Sequence, residues 1–86
     1  MNPHKGISQE FGDESYGIAS FYANFFYNRQ TANQEILKKS ELTAAHRLYP
    51  FNTLVEVTNL TNKRTVVVRI NDRGPYKRGR IIDLTE

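Results

Sequence analysis

Two runs of β-branched residues in the second half of the chain constrain the fold more than any other feature. Residues 53–60 are TLVEVTNL, residues 64–71 are RTVVVRIN, and the polar segment 61–63 separates them. Two such runs on either side of a polar turn are typical of a β-hairpin. Because successive side chains of a strand point to opposite faces, one face of this hairpin should be apolar. The core residues predicted on that face are Val55, Val57, Val66, Val68 and Ile70.

The next residue in phase with this apolar face is charged. Asp72 follows Ile70 by two positions, at the start of the turn Arg73-Gly74-Pro75. Since an unpaired buried charge is costly, Asp72 is expected either at the rim of the core or with buried partners. Arg69 lies on the opposite face of the same strand, and we expect it to point to solvent.

Length and composition limit the protein to one small globular domain. Domains rarely fall below about 50 residues, so 86 residues leave room for one. A chain with 38% hydrophobic and 24% charged residues is expected to fold. The absence of cysteine excludes a disulfide framework, a thiolate nucleophile, a cysteine metal site and a lipid-modified N-terminal cysteine.

Charge indicates the class of partner without identifying it. A net charge of +3 at pH 7 and a pI near 9.4 favour an anionic partner such as an envelope polymer, a nucleic acid or a membrane surface. Nucleic acid is disfavoured because the aromatic residues are not interleaved with the late basic cluster. That cluster is predicted to be mainly a solvated face; it comprises Arg69, Arg73, Lys77, Arg78 and Arg80. No segment approaches the roughly 18 apolar residues of a membrane span, and residues 1–15 lack the apolar core of a secretory signal.

The rest of the chain gives weaker structural signals. Residues 1–15 are polar and are predicted to be a flexible leader before a domain formed by residues 16–86. Residues 16–22 favour a strand, and a loop should follow. Residues 40–46 permit a helical turn with Ser40 as N-cap, and residues 80–84 favour a short last strand.

Four polar residues lie where side chains can converge, next to turns or strand ends. They are Glu35, His46, Asp72 and Asp83. Each also has a structural interpretation: Glu35 as a solvated loop carboxylate, His46 as a half-buried histidine bonded to backbone, Asp72 as a turn residue, and Asp83 as a group that holds loops together. Spacing alone does not show that these four residues meet.

The order of several longer motifs resembles the rare lipoprotein A family. The motifs are GIASFY, TAN-x-E, LTAAHRLYPFNTLVEVTNL and VVVRINDRGPYKRGRIIDLT, collinear over residues 17–85. The resemblance implies a mainly β fold, a small six-stranded double-psi β-barrel. It also implies a lytic transglycosylase of the bacterial envelope, in the periplasm, in the outer membrane or outside the cell. Such enzymes cleave the β-1,4 bond between N-acetylmuramic acid and N-acetylglucosamine without water, leave 1,6-anhydro ends and need no metal or organic cofactor.

The resemblance also implies roles for particular residues. The family's proposed catalytic positions correspond to Glu35, His46 and Asp72, and Asp83 matches an aspartate that the wider barrel superfamily uses as an acid. Substrate contacts are expected at Tyr22, Arg73 and Tyr76, with a place in the core as the alternative for the Tyr22 ring. We further expect partial desolvation near Ile70 to favour the neutral acid at Asp72, so that activity peaks on the mildly acidic side of neutrality, with Glu35 or Asp83 as the alternative acid.

The chain departs from the family pattern where glycine is usual. Gln34 precedes Glu35 in place of glycine, Asn52 replaces the glycine of Pro-Phe-Gly, and Lys63 occupies a glycine position of the hairpin turn. Asparagine tolerates a left-handed backbone better than glutamine, so Asn52 should keep its turn, Asn62 should supply the positive φ near Lys63, and Gln34 puts the placement of Glu35 in doubt. The chain also ends before the family's last strand, which predicts an exposed sheet edge.

Two other function classes fit the same residues. One is a non-catalytic module of the expansin type that binds peptidoglycan or another polysaccharide. The other is a protein-interaction role among division proteins. Detection of anhydro-sugar ends separates an enzyme from a binding module.

Overall fold

The computed structural model describes the backbone of residues 4–10 and 13–86, and the side chains from Glu14 onward. Within these ranges the chain forms six β-strands and one short 3₁₀ turn at Asn24–Phe26. The strands are β1 (His4–Glu10), β2 (Asp13–Phe21), β3 (Thr43–Ala45), β4 (Leu54–Asn59), β5 (Thr65–Asp72) and β6 (Arg80–Leu84). The mainly β fold expected from the sequence is confirmed. In this part of the chain no helix is long and apolar enough to cross a membrane.

The six strands close into a barrel in the order β1-β2-β6-β3-β5-β4. The pairs β2–β6 and β3–β5 are parallel, whereas the remaining neighbours are antiparallel. Parallel neighbours need long crossover connections, and here these connections bring residues from distant parts of the chain to one end of the barrel. The predicted exposed edge is not found among the described strands, because β1 pairs with β4 and completes the ring.

The hairpin predicted from the β-branched runs is present as β4 and β5. Val55 pairs with Val68 and Val57 with Val66, while Leu54 and Glu56 on the other face of β4 are exposed. The predicted core residues are buried except for Val66, which is partly buried and packs against the same cluster. Their partners in the cluster come from the other strands: Ala19, Ala44, Ile82 and Leu84.

The prediction of a helical turn at residues 40–46 is wrong, because part of this segment is strand β3. Ala44 and Ala45 are almost completely buried between two neighbouring strands. Ala44 pairs with Ile70 of β5 on one side and with Leu84 of β6 on the other. Two alanines permit a helix locally, but the backbone groups here bond to strands that are distant in sequence, and tertiary pairing overrides the local preference.

Within the predicted flexible leader, the structure describes residues 4–10 and 13–15, and all of these lie in strands. Residues 4–10 form β1, which pairs with β2 in register from His4–Ala19 to Glu10–Asp13. β1 also pairs with β4. Its pairing depends on main-chain hydrogen bonds to two strands, so the polar composition of the segment gave no indication of it.

All three positions where the chain replaces a family glycine have a left-handed backbone. The φ angles are 75° at Gln34, 71° at Asn52 and 63° at Lys63. The expectation that Asn62 would supply the positive φ of the hairpin turn is therefore wrong. Asn62 instead accepts a hydrogen bond from the Arg64 amide through its side-chain oxygen (2.9 Å), and Lys63 takes the left-handed conformation.

Candidate functional site

A cleft of about 460 Å³ lies where the ends of β2, β5 and β6 meet. Five of the residues singled out from sequence line it: Tyr22, Asp72, Arg73, Tyr76 and Asp83. A second cavity, of about 250 Å³, is lined mostly by apolar barrel residues and contains none of these five. The cleft is therefore the candidate active site.

An irregularity in β5 helps to set the position of Asp72 at this cleft. In the parallel pairing of β3 with β5, Ala44 pairs with Ile70 and Ala45 with Asp72, so Asn71 is an extra residue on β5. An extra residue of this kind bends a strand and redirects the side chains that follow it. As a result Asn71 is buried and Asp72 is half-buried at the rim of the core, the first of the two positions that the sequence allowed.

Three hydrogen-bond donors surround the Asp72 carboxylate. Oδ1 accepts from the backbone amides of Ala32 (2.8 Å) and Arg73 (2.9 Å). Oδ2 accepts from the Tyr22 hydroxyl (2.9 Å). Donors on both oxygens fix the orientation of the carboxyl group.

The second carboxylate of the cleft, Asp83, lies in a different environment. It is half-buried on β6, directly opposite Ser20 of the parallel strand β2, and it accepts a hydrogen bond from the Ser20 hydroxyl. Burial raises the pKa of the Asp83 carboxyl, and the charge of Asp72 adds to this effect. The Ser20 bond and the charges of Arg80 and Lys77 act in the opposite direction, but the pKa of Asp83 remains above its ordinary value.

Tyr22 connects the cleft to the aromatic cluster behind it. Its ring is buried, in contact with the rings of Phe26 and Tyr27 at centroid distances of 6.2 and 6.3 Å. Burial, followed by the neighbouring Asp72 charge, raises the pKa of the Tyr22 hydroxyl, which therefore stays a donor. A buried ring of this kind offers no open face on which a sugar can stack.

Glu35 lies near Asp72 but outside the cleft. Its two carboxylate oxygens accept hydrogen bonds from the two terminal nitrogens of Arg69, at 2.8 and 2.9 Å, and Oε1 also accepts from Asn71 Nδ2 at 3.1 Å. The bonds from Arg69 and then from Asn71 lower the pKa of Glu35 to about 2. The expectation that Arg69 would point freely to solvent is therefore wrong, since it is the partner of a bidentate ion pair.

His46 also lies beside the cleft and does not line it. Its Nδ1 accepts from the amides of Leu48 and Tyr49, both at 3.1 Å, and its ring stacks on that of Tyr49 with the centroids 3.9 Å apart. Because Nδ1 is an acceptor, the neutral ring carries its proton on Nε2. Burial lowers the pKa of His46, and the charges of Arg47 and Arg73 lower it further.

The two remaining sequence candidates line the cleft in different ways. The Arg73 guanidinium lies over the Phe51 ring, 4.0 Å from its centroid, and donates to the backbone carbonyls of Tyr49 (3.0 Å) and His46 (3.3 Å). Tyr76 is 77% exposed, so its ring is open to a ligand.

Sequence reasoning missed two residues that shape this region. Ser20 faces Asp83 across 63 positions of sequence, and Asn71 contacts Glu35 across 36. Ser20 lies inside an ordinary strand motif and gave no signal. Asn71 gave a weak one, since it is a polar side chain immediately before Asp72 in an apolar run. No group of three or more potential metal ligands was found among the residues that the structure describes.

Comparison with known proteins agrees with this geometry. Residues 14–86 match the sequence profile of the family described as lytic transglycolase. The chain is 59% identical over 80% of its length to a probable endolytic peptidoglycan transglycosylase RlpA of Synechocystis, of which it covers 22%. It is 49% identical over 87% of its length to the endolytic peptidoglycan transglycosylase RlpA of Campylobacter jejuni, and 56% identical over 80% to that of Pasteurella multocida. It covers 27% and 24% of these two relatives, so the chain spans about a quarter of the length of the curated proteins it matches. With a family match over most of its residues and a barrel of the expected architecture, the chain belongs to the lytic transglycolase family.

Proposed function

We propose that this domain cleaves the glycan strands of peptidoglycan as a lytic transglycosylase. One observation carries the proposal: Asp72 and Asp83 line the same cleft in opposite environments. Asp72 is surrounded by donors, whereas burial raises the pKa of Asp83. Two carboxyl groups that line one cleft in different surroundings can divide into an acid and a charged partner.

In this mechanism Asp83 is the acid and later the base. Its proton passes to the glycosidic oxygen as the bond from that oxygen to C1 of the muramic acid residue breaks. The C6 hydroxyl of the same residue forms the new bond to C1, and its proton passes to the Asp83 carboxylate. The charge of Asp72 stabilises the positive character that develops at the sugar ring. The products are a free 4-hydroxyl and a 1,6-anhydro end, and the acid is restored.

The other candidates take supporting roles in this proposal. Tyr22 orients Asp72 through its hydroxyl, Arg73 shapes the wall of the cleft through its carbonyl contacts, and the exposed Tyr76 ring offers a surface for a sugar. His46 stays neutral and stabilises the segment 46–49, because its Nδ1 accepts hydrogen bonds from the amides of Leu48 and Tyr49. Glu35 lies outside the cleft and is not assigned a proton transfer.

The experiment that tests the function uses purified domain and glycan strands freed of peptides. Mass spectrometry of the products distinguishes 1,6-anhydro ends from hydrolysed reducing ends, which contain one more water. We expect anhydro ends only. Hydrolysed ends would show that the domain is a hydrolase and not a transglycosylase. If the domain is retained on intact sacculi without cleaving them, the expansin-like binding module is supported instead.

The same proposal includes a cellular setting. The relatives are named as peptidoglycan transglycosylases, and peptidoglycan lies in the bacterial envelope, so we place the protein in the periplasm, in the outer membrane or outside the cell. Division proteins are candidate partners there. A fluorescent fusion that stays in the cytoplasm would contradict this placement.

A further inference from the structure

We propose that Glu35 is a positioning residue. Its ion pair with Arg69 holds the 31–35 loop against β5, so that the Ala32 amide can donate a hydrogen bond to the Asp72 carboxylate. The proposal rests on the function proposed above, because it assigns Asp72 to the reaction. It departs from the role that the family resemblance implies for Glu35, which is a catalytic one.

The ion pair between Glu35 and Arg69 is bidentate. Both terminal nitrogens of Arg69 reach the two oxygens of Glu35, and Arg69 Nη1 also donates to Asn52 Oδ1 (2.9 Å). A bidentate pair holds both groups in one plane and fixes their relative orientation. Arg69 belongs to β5, the strand that carries Asp72, so a loop fastened to Arg69 keeps a constant position relative to Asp72.

The loop is rigid enough to transmit this constraint. The Thr31 amide donates to the Glu35 carbonyl (2.7 Å) and the Gln34 amide to the Thr31 carbonyl (2.9 Å), so the two ends of the loop are joined. Asn33 Oδ1 accepts from the Thr31 hydroxyl (2.7 Å) and from the Glu35 amide (3.1 Å). A displacement of Glu35 would therefore move Ala32 as well.

Besides the ion pair with Arg69, the loop contacts β5 at two successive residues, Asn71 and Asp72. The Asn33 amide donates to the Asn71 carbonyl (3.3 Å), and the Ala32 amide donates to Asp72 Oδ1 (2.8 Å). The second contact is the one that matters for chemistry, because it reaches the side chain that lines the cleft. Glu35 itself does not line the cleft, and both its oxygens are already occupied. It is poorly placed to exchange a proton with a sugar there.

The structural test measures the Ala32 amide by NMR in the 86-residue protein. Hydrogen exchange at Ala32 should be slow in the parent and in Glu35→Gln, which keeps an acceptor for Arg69. It should become fast in Glu35→Ala and in Arg69→Ala, to the same extent. Lys39 and Glu86 form an exposed ion pair at 3.5 Å elsewhere, so Lys39→Ala is the matched control and should leave Ala32 unchanged. Slow exchange at Ala32 in folded Arg69→Ala would overturn the proposal.

The kinetic test is a double-mutant cycle on peptide-free glycan. Because a displacement of about 1 Å in an active site can cost about 100-fold in rate, Glu35→Ala and Arg69→Ala should each lower kcat by up to about that factor, with little change in KM. The double variant should be no slower than either single one, and Glu35→Gln should stay within about tenfold of the parent, since a displacement smaller than that of the alanine variants costs less.

A catalytic Glu35 gives a different pattern. Glu35→Gln would then be as inactive as Glu35→Ala, Arg69→Ala would be mild, and the two effects would multiply.

The pH profile of activity adds a second criterion. The charged groups near Glu35 are Arg69, which Glu35 contacts, and Glu41, which interacts with Arg69. As a permanent anion of that pair, Glu35 should not contribute a limb to the profile, so Glu35→Gln should keep both limbs. Loss of a limb in this variant would refute the positioning role. An inactive parent would contradict the proposed function, while the Ala32 measurement would still decide the role of the ion pair.

Discussion

The cleft and the 31–35 loop each contain a carboxyl group with a shifted pKa, and the two shifts have opposite directions. In the cleft, Asp83 is half-buried beside the Ser20 hydroxyl, and burial raises its pKa. In the loop, both carboxylate oxygens of Glu35 accept hydrogen bonds from Arg69, and these bonds lower the pKa of Glu35 to about 2. Burial favours the neutral form of a carboxyl group, whereas pairing with arginine favours the anion. Residue type and motif position made both residues catalytic candidates, so the proposed difference in role rests on their surroundings.

The largest effect is expected when the proton or the charge of the cleft is removed. Asp83→Asn cannot donate a proton usefully and Asp72→Asn carries no charge, so each should lower the rate of anhydro-end formation by about 10²- to 10⁴-fold. Mass spectrometry of peptide-free glycan measures the rate, with circular dichroism as the folding control. If folded Asp83→Asn keeps the parental rate, the acid must be another group and the contrast with Glu35 loses its functional meaning.

A smaller effect is expected when the cleft loses one donor. Tyr22→Phe keeps the buried ring and removes the hydroxyl that bonds Asp72. A hydrogen bond to a charged group contributes about 1.5–3 kcal/mol, and if the transition state depends on the orientation of Asp72, kcat should fall by about 10- to 100-fold. Tyr16, which is 66% exposed, supplies the control Tyr16→Phe. Equal activity of the two variants would show that Asp72 does not need Tyr22.

Opposite pKa shifts predict opposite dependences of stability on pH. Glu35 stabilises the folded state at pH values above its ordinary pKa of 4.5, and this stabilisation is lost as the pH falls toward about 2. Asp83 stabilises the folded state at pH values below its ordinary pKa of 3.8. This stabilisation is lost as the pH rises through the raised pKa of Asp83 in the folded protein. Urea unfolding across this range should therefore show a weaker acid destabilisation in Glu35→Gln than in the parent.

For Asp83→Asn, the same experiment should show a smaller loss of stability on going from acid to neutral pH. The amide does not acquire the charge that is unfavourable in the buried position. Parallel pH curves for the parent and both variants would show that the two environments do not differ as described.

The smallest effect is expected at the backbone of the loop. Gln34 has a φ of 75°, where a side chain costs about 1–2 kcal/mol and glycine costs nothing. Glycine loses more chain entropy on folding, about 0.5–1 kcal/mol, so Gln34→Gly should raise the free energy of unfolding by at most about 1.5 kcal/mol. Gln30→Gly, in the same loop region but without a positive φ, should lower it. A lower stability for Gln34→Gly would mean that the glutamine side chain itself stabilises the loop.

The sequence could predict those features that depend on local pattern. The alternation in residues 53–60 and 64–71 correctly indicated β4, β5 and the face that carries Val55, Val68 and Ile70. Side-chain alternation is a property of any extended strand, so the buried face can be recognised without knowing what covers it. The family motifs likewise indicated the barrel, and they drew attention to the carboxyl groups that the structure places in or beside the cleft.

Only the tertiary structure decided how these residues are used. The extra residue Asn71, the strand conformation of Ala44 and the pairing of Arg69 with Glu35 all depend on partners distant in sequence. Ser20 and Asp83 are 63 positions apart, and Tyr22 and Asp72 are 50 apart. Protonation follows from burial and from the nearest charges, and neither can be known until the parallel crossovers bring these strands together. For this reason the chemical groups can be found in the sequence, whereas the division of their roles comes from the fold.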